Sequence, residues 1–151
     1  MRPGVLRRAN PAEADMIAGW HPIATDEVLD WWRGEDVDPW VMVDADDRPV
    51  AYGELWLDPD EDEVELARLI VAPELRRRGL GQQLTRALMA KAAATGLGLT
   101  MLRTDPDNEA AIGCYLACGF TPLGPEESAE WNVGQRRDWY WMTLPRPSPR
   151  S

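Results

Sequence analysis

A chain of 151 residues with 16 Lys+Arg against 26 Asp+Glu has the length of one domain. Its net charge of −10 has the wrong sign for nonspecific nucleic-acid binding. No apolar run reaches the ~18 residues of a membrane span, and the N-terminal Met1-Arg-Pro-Gly-Val-Leu-Arg-Arg lacks the apolar segment of a signal peptide, so the expected compartment is the cytoplasm, without a membrane partner.

Residues 5–8 read as a first strand. Asn10-Pro11 then supplies a cap and a first-turn proline for a helix to residue 19. Thr25 is expected to cap a second helix through Arg33. Residues 40–43, 50–57 and 64–72 read as strands separated by the turns 44–49 and 58–60, an antiparallel meander. Residues 81–95 give the clearest helix, with Leu84, Ala87, Leu88 and Ala92 on one face and Gly96 as its cap. A leucine-rich strand is expected at 97–104, a helix from Asp105-Pro106 to Gly119, and last strands at 120–123 and 139–144. Residues 1–145 therefore form one mixed α/β domain around a central sheet, and 146–151 a proline-rich, disordered tail.

His21 is the only histidine, and Cys114 and Cys118 are the only cysteines, so a zinc site lacks ligands and no metal is expected. The two thiols read as reduced and structural. The acids gather at 44–47 and 58–65, either as a solvated face or as a surface that attracts a cationic amine.

The stretch Glu65-Leu-Ala-Arg-Leu-Ile-Val-Ala-Pro-Glu-Leu-Arg-Arg-Arg-Gly-Leu-Gly-Gln-Gln-Leu84 joins a buried strand, a basic glycine turn and a helix start. Such a unit offers free N–H groups and a helix N-terminus to an anion. It is not a P-loop, since no Lys-Ser or Lys-Thr pair occurs in the chain. It is not a dinucleotide fingerprint either, because Leu84 stands where the third glycine belongs and residues 99–103 carry no acid. What remains is Arg76-x-x-Gly79-x-Gly81 after Val71-Ala72-Pro73, which resembles motif A of the GNAT superfamily of acetyl-coenzyme A-dependent N-acetyltransferases. Downstream, Asn108-Glu-Ala-Ala-Ile-Gly-Cys-Tyr115-Leu-Ala-Cys-Gly119-Phe120 resembles that family's motif B. The two motifs, in this order, cover residues 49–124.

The resemblance implies a single α/β domain with a central, mostly antiparallel, splayed sheet flanked by helices. It also implies acetyl-coenzyme A as co-substrate and direct attack of an amine on its thioester in a ternary complex. Arg76, Arg77, Arg78, Gly79, Leu80, Gly81 and Gln82 would cradle the pyrophosphate. Backbone groups of Leu69, Ile70 and Val71 would grip the pantetheine arm and polarise the thioester carbonyl. Asn108 would contact the pantetheine arm or an ordered water, or serve only as a polar residue in the first helical turn. Tyr115 would protonate the departing thiolate, although its position three residues after Ile112 also suits a core aromatic. The proton acceptor is open between Glu65, Glu54 on the neighbouring strand, and water. Strand alternation places Glu65 on the face of Leu69 and Val71. Arg103 stands where some relatives carry a glutamate, a departure that weakens a protein N-terminal acetylation mechanism.

The chain has eight tryptophans, all but Trp56 in the flanks of this core. Trp31, Trp32, Trp40, Trp131, Trp139 and Trp141 lie where the family shapes its acceptor pocket, either as a cage for an amine or as core. Trp139 and Trp141 share parity and should face the same way. The first expectation is a small primary amine as acceptor. The alternatives are a protein N-terminus or lysine, for which Trp31 or Trp131 must leave a channel open, and a non-catalytic acyl-coenzyme A binding module. Homodimerisation is left open.

Overall fold

The computed structural model describes residues 4–145, and the tail at 146–151 lies outside them. Strands β1 (Val5–Arg8), β2 (Val37–Val43), β3 (Pro49–Asp58) and β4 (Glu63–Val71) pair antiparallel in sequence order. β5 (Leu99–Thr104) then pairs with β4 in parallel, and β7 (Tyr140–Thr143) and the short β6 (Thr121–Pro122) complete a seven-stranded sheet in the order β1-β2-β3-β4-β5-β7-β6.

Helix α3 (Leu80–Ala94) buries Leu80, Leu84, Leu88 and Ala92 against one face of the sheet, where Leu55, Val64, Leu66 and Leu102 wait. Each buried leucine contributes about 1.5–3 kcal/mol. Contact is close at Gly53, where a Cβ would stand 2.5 Å from Leu88 Cδ1. α1 (Ala14–Trp20) and α2 (Thr25–Trp31) cover the other face over Val41, Val43 and Tyr52. α4 (Glu109–Ala117) lies beside α3.

Two features of β4 position the site. First, its pairing with β5 covers only Glu63, Val64 and Glu65 against Leu99, Thr100 and Met101. Beyond that point β5 follows β7 and β4 follows β3, so the sheet opens between them. Second, Glu54 pairs with Ala67 but Tyr52 pairs with Ile70, so Arg68 and Leu69 face the single residue Gly53. This is a β-bulge with Arg68 at φ 52°, in the left-handed region.

The bulge corrects the strand parity expected from the sequence. Val64 and Leu66 face α3, and after the extra residue so do Leu69 and Val71. Glu65 therefore points to the opposite face from Leu69 and Val71. Period-2 alternation holds only while pairing is one to one.

Several element ends also differ. Asn10 does cap, accepting from the Ala12 N–H in a capping box with Glu13, but it opens a 3-10 turn (Pro11–Glu13) before α1. Ala24, not Thr25, is the N-cap of α2, and the Thr25 hydroxyl bonds Asp15 instead. The helix expected from Asp105-Pro106 begins at Glu109, because Asn108 takes the cap and accepts the Ala111 N–H at 3.1 Å. α5 (Pro125–Asn132) was not expected; it starts at the proline of Gly124-Pro125 and buries no residue, so it leaves no clear apolar period.

Candidate active site

The opening between β4 and β5 leads into a cavity of about 720 Å³. Its walls are the end of β4 with Leu69, Ile70 and Val71, the start of α3, and the α4 face carrying Asn108 and Tyr115. Of the predicted cradle, Arg76, Arg77, Gly79, Leu80, Gly81 and Gln82 line it, and Arg78 does not. Sequence positions far apart in the chain thus share one wall.

The cradle has the backbone form that an anion needs. Arg77 and Gly79 adopt φ 67° and 78°, and Gly79 is the N-cap of α3. Left-handed residues on either side of Arg78 turn the chain sharply at this point, and the helix N-terminus adds a positive dipole end with free N–H groups. No side chain caps this terminus. A pyrophosphate fits such a donor set.

Tyr115 is half-buried and sits edge-on to Phe120 at 6.2 Å. Burial, with smaller pushes from Cys114 and Cys118, raises its phenol to about 12. The hydroxyl thus keeps its proton at neutral pH, as a general acid must. Cys114 and Cys118 are free thiols, Cys118 buried.

The two candidate carboxylates lie on the opposite sheet face, and neither lines the cavity. Glu54 is fully buried and accepts from the Tyr52 hydroxyl, from Trp56 Nε1 at 2.8 Å and from Arg68 Nη1 at 2.8 Å. Trp32 Nε1 donates in turn to the Tyr52 oxygen at 2.7 Å. Burial and the Glu54 charge push the Tyr52 phenol far up. Glu65 is bridged to Arg103, with Nε to Oε2 at 2.9 Å. Burial raises the Glu65 carboxyl above its ordinary range, outweighing the pull of Arg103.

The tryptophans do not form an open cage. Arg68 stacks on Trp31 at 4.1 Å and on Trp56 at 4.9 Å. Arg103 stacks on Trp56, on Trp139 and on Trp141, the last at 4.8 Å. Trp139 and Trp141 therefore do face the same way. Trp131 packs edge-on to Trp141 at 5.3 Å. The row Trp31, Arg68, Trp56, Arg103, Trp141, Trp131 crosses the sheet from α2 to α5, its cationic positions filled by the chain's own arginines. Trp40 is taken similarly by Arg8 and Lys91.

A further residue of the cavity wall carries no functional signal in the sequence. His21 ends α1 and is among the residues that line the cavity, with Arg76 of the cradle close enough to act on its imidazole. No local pattern singles it out; only the tertiary arrangement brings it there. Among the described residues, no group of three or more His, Cys, Asp or Glu side chains could hold a metal ion. Nor is any helix there long and apolar enough to cross a membrane.

A splayed β4/β5 pair leading to an anion-ready helix N-terminus defines an acetyltransferase-type α/β domain. The sequence profile of the acetyltransferase (GNAT) family matches residues 7–120, and the chain belongs to that family. It is 34% identical over 119 residues to mycothiol acetyltransferase of Nocardia farcinica (strain IFM 10152). That match covers 79% of this chain and 29% of the relative, so the chain spans under a third of the relative's length. A spermidine N-acetyltransferase from Vibrio cholerae in complex with CoA and spermine superposes with a TM-score of 0.77 at 17% identity, over 94% of this chain and 95% of that chain. A dodecameric structure of the Vibrio cholerae spermidine N-acetyltransferase gives 0.73 at 20% identity, over 94% and 93%. At these identities the likeness is one of fold.

Proposed function

We propose that the chain is an N-acetyltransferase that moves an acetyl group from acetyl-coenzyme A to a primary amine of a small molecule. The observation that carries this is the cavity itself: one continuous wall joins the Gly79 helix terminus, the end of β4 that β5 leaves unpaired on one side, and the α4 face carrying Tyr115. A pyrophosphate would lie on the N–H groups of the cradle, beside Arg76 and Arg77. The pantetheine arm would take the place that β5 vacates along Leu69 to Val71, where a backbone N–H polarises the thioester carbonyl. Tyr115 would give its proton to the sulfur as the carbon–sulfur bond breaks. Asn108, which caps α4 with its Oδ1, holds that helix end at the cavity rim.

The filled tryptophan–arginine row supports a small acceptor over a peptide. Trp31 and Trp131, the bulky rings that could close a peptide channel, are held in place by Arg68 and Trp141. The decisive experiment is thiol release from acetyl-coenzyme A across polyamines, aminoglycosides, amino acids and short peptides. Turnover confined to small amines supports the reading. Turnover confined to peptides would shift it to a protein acetyltransferase, and silence with coenzyme A tightly bound would leave a binding module.

A further inference from the structure

The carboxylates that the sequence offers as proton acceptors are committed elsewhere. Glu54 has donors from Tyr52, Trp56 and Arg68, and Glu65 has Arg103. His21 is placed differently. Its N–H closes α1 on the carbonyl of fully buried Ile17 at 3.2 Å, so the ring rides on an anchored helix end. Trp31 at 5.3 Å and Tyr52 at 6.4 Å hold the imidazole edge-on. Its Nε2 is buried without a hydrogen-bond partner, the one side-chain N or O atom so placed among the described residues. A buried polar atom left unpaired costs stability and calls for an explanation, a catalytic role or a bound water or ion among them.

We infer that His21 is the catalytic proton acceptor for the amine, a role that rests on the acetyltransferase reading above. His21 lines the same cavity as Leu69, Ile70, Val71 and Tyr115, so the residues for acceptor, thioester grip and acid border one chamber. Charged groups facing it are Arg68 from β4 and Arg76 from the turn after β4; α2 and β3 present the rings of Trp31 and Tyr52. Burial first, then these two cations, lower the imidazole below its ordinary 6.5, which leaves it neutral with a free lone pair at pH 7.

The nitrogen of the free amine forms a bond to the acetyl carbon while His21 takes one of its protons. The carbon–sulfur bond breaks, its electron pair stays on sulfur, and sulfur takes the Tyr115 proton. Imidazolium then returns a proton through solvent to the Tyr115 phenolate, giving the amide and the free thiol.

Because His21 is the only histidine, its signals are unambiguous in tag-free protein. The test uses His21→Asn and His21→Gln beside the unaltered chain, with the fastest amine of the panel. Kd for acetyl-coenzyme A should stay within about twofold, while kcat falls about 10²–10⁴-fold. The acidic limb of the wild-type kcat profile, centred below 6.5, should vanish in both variants. In NMR spectra of the unaltered chain, the imidazole C–H signals should shift on adding acetyl-coenzyme A. Turnover within threefold of wild type in a folded variant, a persisting acidic limb, or an imidazole signal unmoved by acetyl-coenzyme A overturns the role of His21 alone. Silence of the unaltered chain with every amine overturns the transferase reading and this role with it.

Discussion

Arg68 donates from its Nη1 to Oε1 of Glu54 at 2.8 Å, tying the β4 bulge to a carboxylate with no solvent exposure on β3. The bulge holds a bulky residue at φ 52°, a conformation L side chains seldom adopt. The ion pair and the two tryptophan rings around the guanidinium offset that strain. The same bulge exposes the end of β4 to the cavity, so the pair supports the site without entering it.

Removing the guanidinium should therefore be costly. Arg68→Met leaves Glu54 buried with only Tyr52 and Trp56 as donors. Breaking a fully buried pair costs about 3–5 kcal/mol; with the Arg68 side chain 29% exposed, about 2–3 kcal/mol is expected. The double variant Arg68→Met/Glu54→Gln should recover part of this in urea unfolding. A double variant no better than the single one would show that the ion pair is not the source of the loss.

The two glycines of the cradle should respond with opposite signs in stability. Gly79→Ala forces a Cβ into φ 78°, which costs about 1–2 kcal/mol although nothing stands within 4 Å of the new methyl. Gly81→Ala lies inside α3, where its Cβ meets only Cys114 Sγ at 3.7 Å, so stability should rise by about 0.5 kcal/mol. Both should weaken coenzyme A binding at least several-fold by calorimetry, since each methyl occupies the face offered to pyrophosphate. Unchanged affinity in both would place the pyrophosphate elsewhere.

Tyr115→Phe should retain acetyl-coenzyme A affinity and lose about 10²–10⁴-fold in kcat. With the phenol at about 12, the acid form persists across the accessible range. The wild-type rate should thus show no alkaline limb from this group up to about pH 10. Turnover equal to wild type in Tyr115→Phe would remove it from the acid role.

What was legible in the sequence was what local chemistry determines. The α3 helix follows from Leu84, Leu88 and Ala92 at helical spacing and from the glycine turn before it. The meander follows from alternating strands and acidic turns. The β4 bulge was not legible, because Arg68 carries no glycine or proline signal and its left-handed φ is imposed by Glu54, Trp31 and Trp56, all distant in sequence or on another element. The sequence leaves the tryptophans open between a cage for an amine and core, and it gives no sign that Arg68 and Arg103 stack on Trp31, Trp56, Trp139 and Trp141. A lone histidine between Trp20 and Pro22 gives no pattern at all. Its interest comes from the partners it lacks.

The environment of His21 also makes stability depend on pH. Burial, then Arg68 and Arg76, lower its pKa in the folded chain, while the unfolded chain protonates near 6.5. Below 6.5 the unfolded state therefore binds more protons, and stability is lost as pH falls toward the folded value. Glu65 acts in the opposite sense: its folded pKa lies above 4.5, so its contribution is present below 4.5 and is lost as pH rises through the folded value. Comparing the chain with His21→Asn isolates the histidine, since Glu65 is common to both. Between pH 7.5 and 5.5 the upper bound is about 1.4 kcal/mol, and partial solvent contact brings the expected loss to about 0.5–1 kcal/mol. Parallel urea midpoints for the two proteins across this interval would show that His21 protonates as easily in the folded chain as in the unfolded one.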